Sequence, residues 1–286
     1  MYTTFISTQE LSNLIATTDI VVVDCRYTGG EKSHSDYLEA HIPGAVFASM
    51  DKDLSGEIIP GVTGRHPLPK VEDIENRLSN WGIGNETQVV VYDDKGGAMA
   101  ARLWWMLKWL GHDAVAVLNG GWSAWKADRM HVNNSVPQKV RKEFKANVRS
   151  EMLVDADFVT AHQEDMDYLI LDARAGARYE GLVEPLDPIA GHIEGAVSMP
   201  FSENISVRKQ VLPEQVLKIR FERMLGDVPM DKTICYCGSG VTACHNILSM
   251  AHAGLGMPKL YAGSWSDWIT SENRVKERSF VGRINE

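Results

Sequence analysis

The stretch VVVDCR at 21–26 returns as LILDAR at 169–174, and that return decides the architecture. Three more blocks follow in the same order. AHIPGAV at 40–46 returns as GHIEGAV at 191–197, VVVYD at 89–93 as TICYC at 233–237, and GGWSAW at 120–125 as GSWSDW at 263–268. The offsets are 148, 151, 144 and 143. Four blocks at nearly one offset mean a duplicated domain, because the period is far too long for a solenoid. The expected division is a first copy over 1–127, a polar linker carrying Pro137 over 128–150, and a second copy over 151–286.

Each copy has the same coarse plan. Ser7 and Glu10 fit a capping box ahead of LSNLIA, and LVDADFVTAH is the counterpart of that helix in the second copy. A short apolar strand follows, DIVVVD or YLILD, and later a second, QVVVYD or KTICYC. A Gly-rich turn leads to a helix over roughly 98–110 or 242–253, then to a third strand, AVAVL or PKLYA. Continuous β-branched runs alternating with helices predict an α/β fold, a parallel sheet flanked by helices in each copy. In such sheets a ligand sits at the carboxyl ends of the strands, where a loop meets a helix N-terminus.

Composition agrees with two globular domains: 286 residues, 44% hydrophobic and 23% charged. Lys plus Arg is 29 against 38 Asp plus Glu, a net charge of −9, which argues against nucleic acid or an anionic membrane as partner. The most apolar stretch, AMAARLWWMLKWL at 98–110, is too short to span a bilayer and is interrupted by Arg102 and Lys108. Four cysteines are no disulfide framework, and MYTTFISTQE has no signal-peptide pattern, so a soluble cytoplasmic protein is expected.

The copies act as controls for each other. Asp24 and Arg26 match Asp172 and Arg174, His41 matches His192, and Trp122 and Trp125 match Trp265 and Trp268. Paired residues of this kind are expected to serve the fold, as ion pairs, hydrogen-bonded turns and core aromatics. The loop after the second strand breaks the pattern. It reads YDDKGGAMAAR at 92–102 but YCGSGVTACHN at 236–246, so Asp93 stands where Cys237 stands. Gly238 and Gly240 let the backbone N–H groups turn inward, and a helix starts near Thr242. Such a nest beside a helix N-terminus binds anions and stabilises a thiolate, which makes Cys237 the candidate nucleophile.

Two other chemistries compete for these residues. Zinc on Cys235, Cys237, Cys244 and His245 requires a spacing found in no common knuckle, so no metal is expected. A cysteine phosphatase needs an Arg closing the loop, and Ala243 occupies that position. Arg178 is specific to the second copy and follows a strand end, where it suits a carboxylate or sulfonate; a surface ion pair with Glu180 or Glu184 is the alternative.

DCR, AHIPGAV and GGWSAW, then DAR, GHIEGAV, CGSGVTAC and GSWSDW, resemble the rhodanese superfamily of two-domain sulfurtransferases along nearly the whole chain. The resemblance implies tandem rhodanese-like domains, the first inactive and the second catalytic, with the site in the cleft between them and no cofactor. It implies that Cys237 takes a sulfane sulfur from a small anionic donor and becomes a persulfide. The sulfur then passes to a small thiol, a thioredoxin-like protein or cyanide. It also implies a loop, Gly238, Ser239, Gly240, Val241 and Thr242, that cradles the persulfide. The uncharged CGSGVT resembles the mercaptopyruvate branch, in which Ser239 works with a His and an Asp of the first domain. His66 in GRHPLP fits that His, and Asp51 or Asp53 in MDKDLSG fits the Asp. The branch usually places a second Arg after Glu-Pro, but here Leu186 stands in EPLDPIAGH. A thiosulfate sulfurtransferase, or a persulfide carrier serving a partner protein, are the alternative readings.

Overall fold

The computed structural model describes residues 1–279; residues 280–286, the end of the expected second copy, lie outside the described residues. The first copy runs β1 (Phe5–Ile6), α1 (Thr8–Thr17), β2 (Ile20–Asp24), α2 (Gly30–Glu39), β3 (Val46–Phe47), α3 (Val71–Asn80), β4 (Gln88–Tyr92), α4 (Ala100–Trp109), β5 (Val115–Leu118) and α5 (Gly121–Ala127). The second runs β6 (Leu153–Val154), α6 (Ala156–His162), β7 (Leu169–Asp172), α7 (Gly176–Tyr179), β8 (His192–Ile193), β9 (Val197–Ser198), α8 (Glu214–Leu225), β10 (Thr233–Tyr236), α9 (Ala243–His252), β11 (Lys259–Tyr261), α10 (Ser264–Trp268) and β12 (Lys276–Glu277).

The strand orders are β1-β5-β4-β2-β3 and β6-β11-β10-β7-β9, the same path twice, and every pairing within them is parallel. Each sheet thus has five strands where periodicity marked three. The additional ones are two residues long, too short to leave a pattern in the sequence. One of them corrects the expected helix LVDADFVTAH. Leu153 and Val154 pair with β11, and Asp155 then caps α6 by accepting the Phe158 N–H at 2.9 Å. The capping box at Ser7 and Glu10 is formed in α1.

The two copies meet along α4 and α9. All ten residues of α4 are buried, which explains an apolar stretch with no polar face: the helix is covered on every side by protein. No helix among the described residues is long and apolar enough to cross a membrane. The expected linker is not a loose tether. Phe144 is buried, and the N–H groups of Phe144, Ala146, Asn147 and Arg149 donate to Ser79, Glu75, Leu110 and Trp109, strapping the segment along the first domain.

The repeated residues take matching roles. Arg26 chelates buried Asp24 and lies over Trp122, while Arg174 does the same with Asp172 and Trp265. His41 and His192 each bond through Nδ1 to a carbonyl 2.7 Å away and stack on a tyrosine.

Candidate active site

The site begins where the central strand β10 stops. Cys237 follows Tyr236, and the chain turns through Gly238–Thr242 into α9, with Thr242 as the capping residue. Gly240 has φ +75°, and a side-chain carbon there would lie 2.2 Å from the Ala262 carbonyl oxygen, so the turn admits only glycine. Gly96 holds the same place in the first copy with φ +72°.

The matching loop of the first copy holds a carboxylate. The Asp93 carboxylate accepts four backbone N–H bonds, from Lys95, Gly97, Met99 and Ala100, at 2.6–2.9 Å. At the offset that pairs Tyr92 with Tyr236, these donors correspond to Ser239, Val241, Ala243 and Cys244. Cys237 therefore stands where a carboxylate is held in the twin loop, although the Cys244 N–H, counterpart of one of the four donors, goes to the Val241 carbonyl at 3.2 Å. It is only 2% exposed, and its own N–H donates to Ser264 Oγ at 3.1 Å. The other thiols are buried inside the sheets and under the loop. Burial pushes Cys25 and Cys235 well up and Cys244 to about 12, so all three stay protonated at neutral pH.

The first domain reaches into this loop. His66 Nδ1 lies 2.7 Å from Ser239 Oγ, and His66 Nε2 lies 3.6 Å from Asp51 Oδ1. The structure thus brings together Asp51, His66 and Ser239 in a chain across the interface. Asp53 is not its partner. Its carboxylate accepts the Ser49 N–H and pairs with Arg77, which folds the 49–53 turn. Burial is the main force holding His66 down at about 4, and the charges of Arg102 and Arg65 add to it. The imidazole is accordingly neutral at neutral pH, with one ring nitrogen available as acceptor.

Arg178 reaches the loop, its terminal nitrogens 3.3 Å from where a side-chain carbon on Gly238 would lie, and it pairs with Glu184 at 2.7 Å and, among the described residues, not with Glu180. Both Glu184 and Asp187, which Arg178 also contacts at 3.3 Å, are buried, so this is no loose surface pair. Val241 is buried, and Leu186 is 60% exposed.

Two functional candidates escaped sequence reasoning. Arg65 chelates Asp187 through Nε and Nη2 at 2.9 and 3.0 Å. Its segment, GRHPLP, is not part of any repeated block, so the second copy offers no control for it. Arg102, fully buried in α4, donates to the Gly240 carbonyl at 3.0 Å, to the His66 carbonyl at 3.0 Å and to Leu54 at 3.4 Å. The signal for it was present: a lone Arg inside the most apolar stretch demands a buried partner.

The rhodanese-like domain model matches residues 7–128 and again 155–271, and the chain belongs to the rhodanese family. A probable 3-mercaptopyruvate sulfurtransferase of Pseudomonas aeruginosa is 43% identical over 94% of this chain and 96% of its own. A thiosulfate/3-mercaptopyruvate sulfurtransferase of Arabidopsis thaliana is 33% identical, covering 94% of this chain and 84% of its own. Among solved structures, a 3-mercaptopyruvate sulfotransferase of Escherichia coli superposes with a TM-score of 0.79 at 31% identity, over 93% of this chain and 100% of that one.

Proposed function

We propose that the chain is a sulfurtransferase in which Cys237 carries sulfur from a small anionic donor, 3-mercaptopyruvate foremost, to an acceptor thiol or cyanide. The observation that carries this reading is the twin loop. Four backbone donors hold a carboxylate at Asp93, and a cysteine stands in its place in the second copy. The first copy, with Asp93, has no nucleophile and serves as the wall of the site.

The chemistry runs in two displacements. The Cys237 thiolate attacks the donor's sulfur. The carbon–sulfur bond breaks with its electron pair going to carbon, the new bond is the persulfide, and pyruvate leaves as its enolate. A proton delivered to C3 completes pyruvate. Ser239, next to neutral His66, is placed to hold and pass that proton, with Asp51 steadying the opposite ring nitrogen. An acceptor thiolate then attacks the outer sulfur and restores the Cys237 thiolate. Arg178 holds the donor's carboxylate. The acceptor is a small thiol or a thioredoxin-like protein, and the setting is the cytoplasm, where thiols stay reduced.

Thiosulfate is the second donor in this reading. Two guanidinium groups beside the loop, rather than one, suit the charge on departing sulfite. The test is a donor panel. Mercaptopyruvate should give the higher kcat/KM, and mass spectrometry after donor treatment should add about 32 Da, one sulfur atom, to Cys237. A protein that takes sulfur from neither donor refutes the proposal.

A further inference from the structure

The catalytic domain lacks a cation at Leu186, yet two guanidinium groups converge on the residue after Cys237. A side-chain carbon built on Gly238 would lie 2.9 Å from Arg65 Nη2 and 3.3 Å from both terminal nitrogens of Arg178. Gly238 is not in a positive-φ conformation. The ends of the two arginines occupy the space a side chain there would take. One of them comes from each domain.

We propose that Arg65 of the first domain binds the anionic end of the sulfur donor together with Arg178, so that the donor pocket is closed by the domain interface. The inference rests on the sulfurtransferase reading above and names the second half of its donor clamp. Three observations support it. The Arg65 segment lies against the catalytic domain: the Arg65 N–H donates to Ser266 Oγ at 3.0 Å, and a side-chain carbon at Gly64 would meet the Gly263 carbonyl at 2.6 Å. The next residue, His66, already touches Ser239, so one short segment delivers two side chains to one loop. Asp187 is shared by the two arginines and fixes their planes, while Nη1 of each has no hydrogen-bond partner among the described residues. Two fixed guanidinium edges with unused donors are suited to a carboxylate or a sulfonate.

Asp187 both orients the pair and offsets its charge, and this separates donor binding from a merely structural ion pair. In steady-state kinetics on the full chain with mercaptopyruvate, Arg65→Met should raise KM about 10-fold or more while kcat changes far less. Arg65→Lys should recover part of the loss. Asp187→Asn should move KM the other way, downward, because it frees positive charge for the donor. Adding Leu186→Arg to Arg65→Met should restore KM in part by returning a cation next to Asp187, the residue Arg65 pairs with. A structural pair would make Arg65→Met and Asp187→Asn raise KM alike, and that result, or a wild-type KM in Arg65→Met, overturns the inference alone. A wild-type chain that takes no sulfur from mercaptopyruvate or thiosulfate overturns the sulfurtransferase reading and this inference with it.

Discussion

Replacing Arg102 by Met tests whether the first domain's central helix takes part in catalysis. The guanidinium is fully buried, no carboxylate pairs with it, and its Nε has no partner among the described residues. Burial pulls its pKa down, opposed chiefly by the nearby sulfurs of Cys244 and Cys237. Its stability contribution is the difference of two large quantities. Hydrogen bonds from a charged donor contribute about 1.5–3 kcal/mol each, whereas burying an unpaired charge costs several kcal/mol. Met fills much the same volume without charge, so the melting temperature should move by only a few degrees. Activity should respond differently. Arg102 anchors the carbonyls of Gly240 and His66, which lie on the two sides of the site, and it is a buried positive charge near Cys237. Losing one such charge-assisted anchor should lower kcat/KM about 10- to 100-fold. Alkylation of Cys237 by iodoacetamide at neutral pH should slow in parallel. Arg102→Lys, which keeps the charge but reaches fewer carbonyls, should fall between. A folded Arg102→Met protein with wild-type kcat/KM and alkylation rate would show that Arg102 only fills the interface.

Cys237→Ser should abolish transfer and the persulfide mass, whereas Cys25→Ser, Cys235→Ser and Cys244→Ser should each keep activity; an active Cys237→Ser protein refutes the nucleophile. Gly240→Ala should inactivate the enzyme, because the new carbon meets the Ala262 carbonyl oxygen at 2.2 Å in a left-handed backbone; wild-type activity there would mean the loop is not held as described. Stability should fall on acidification between pH 6.5 and about 4. His66 and His245 are both held at about 4, chiefly by burial, below the ordinary 6.5. A depressed folded-state pKa means the unfolded chain takes up the proton first, so their contribution is complete above 6.5 and is lost toward 4, by about 3 kcal/mol for His66. Urea midpoints across that window measure it, and His66→Gln should flatten the dependence.

The repeat made the fold legible, because four blocks at one offset need no propensity argument. The parallel sheets followed from apolar runs such as VVVD and VVVY, which lack alternation because both faces are covered. Short strands such as β1 and β6 left no trace, since two residues carry no period. Within the site, comparing the copies isolated Cys237 and Arg178. It was blind to what the first domain contributes, because a control works only where both copies have the element. Arg65 and His66 lie in GRHPLP, which has no twin among the repeated blocks. The choice between Asp51 and Asp53 turned on which carboxylate Ser49 and Arg77 had already claimed. Sequence spacing holds no record of that.

The two copies have divided the work of one site. In the first, the anion cradle is filled permanently by Asp93, so the loop is a finished structural element and its helix α4 is free to be buried. That burial presses α4 onto α9 and brings Arg102 to the Gly240 carbonyl. In the second copy a thiol, Cys237, stands at the matching place, and in the proposed reaction it gains and loses a sulfur atom. The long segment between β3 and α3 then reaches across and adds Asp51, Arg65 and His66, none of which the catalytic copy supplies. A catalytic domain cut free of its partner would keep the thiol, the loop and Arg178. It would lack the imidazole, the second guanidinium and the buried cation under the loop. In the proposed reaction the first copy is therefore part of the site, because the interface between the copies brings His66 and Arg65 to the Cys237 loop.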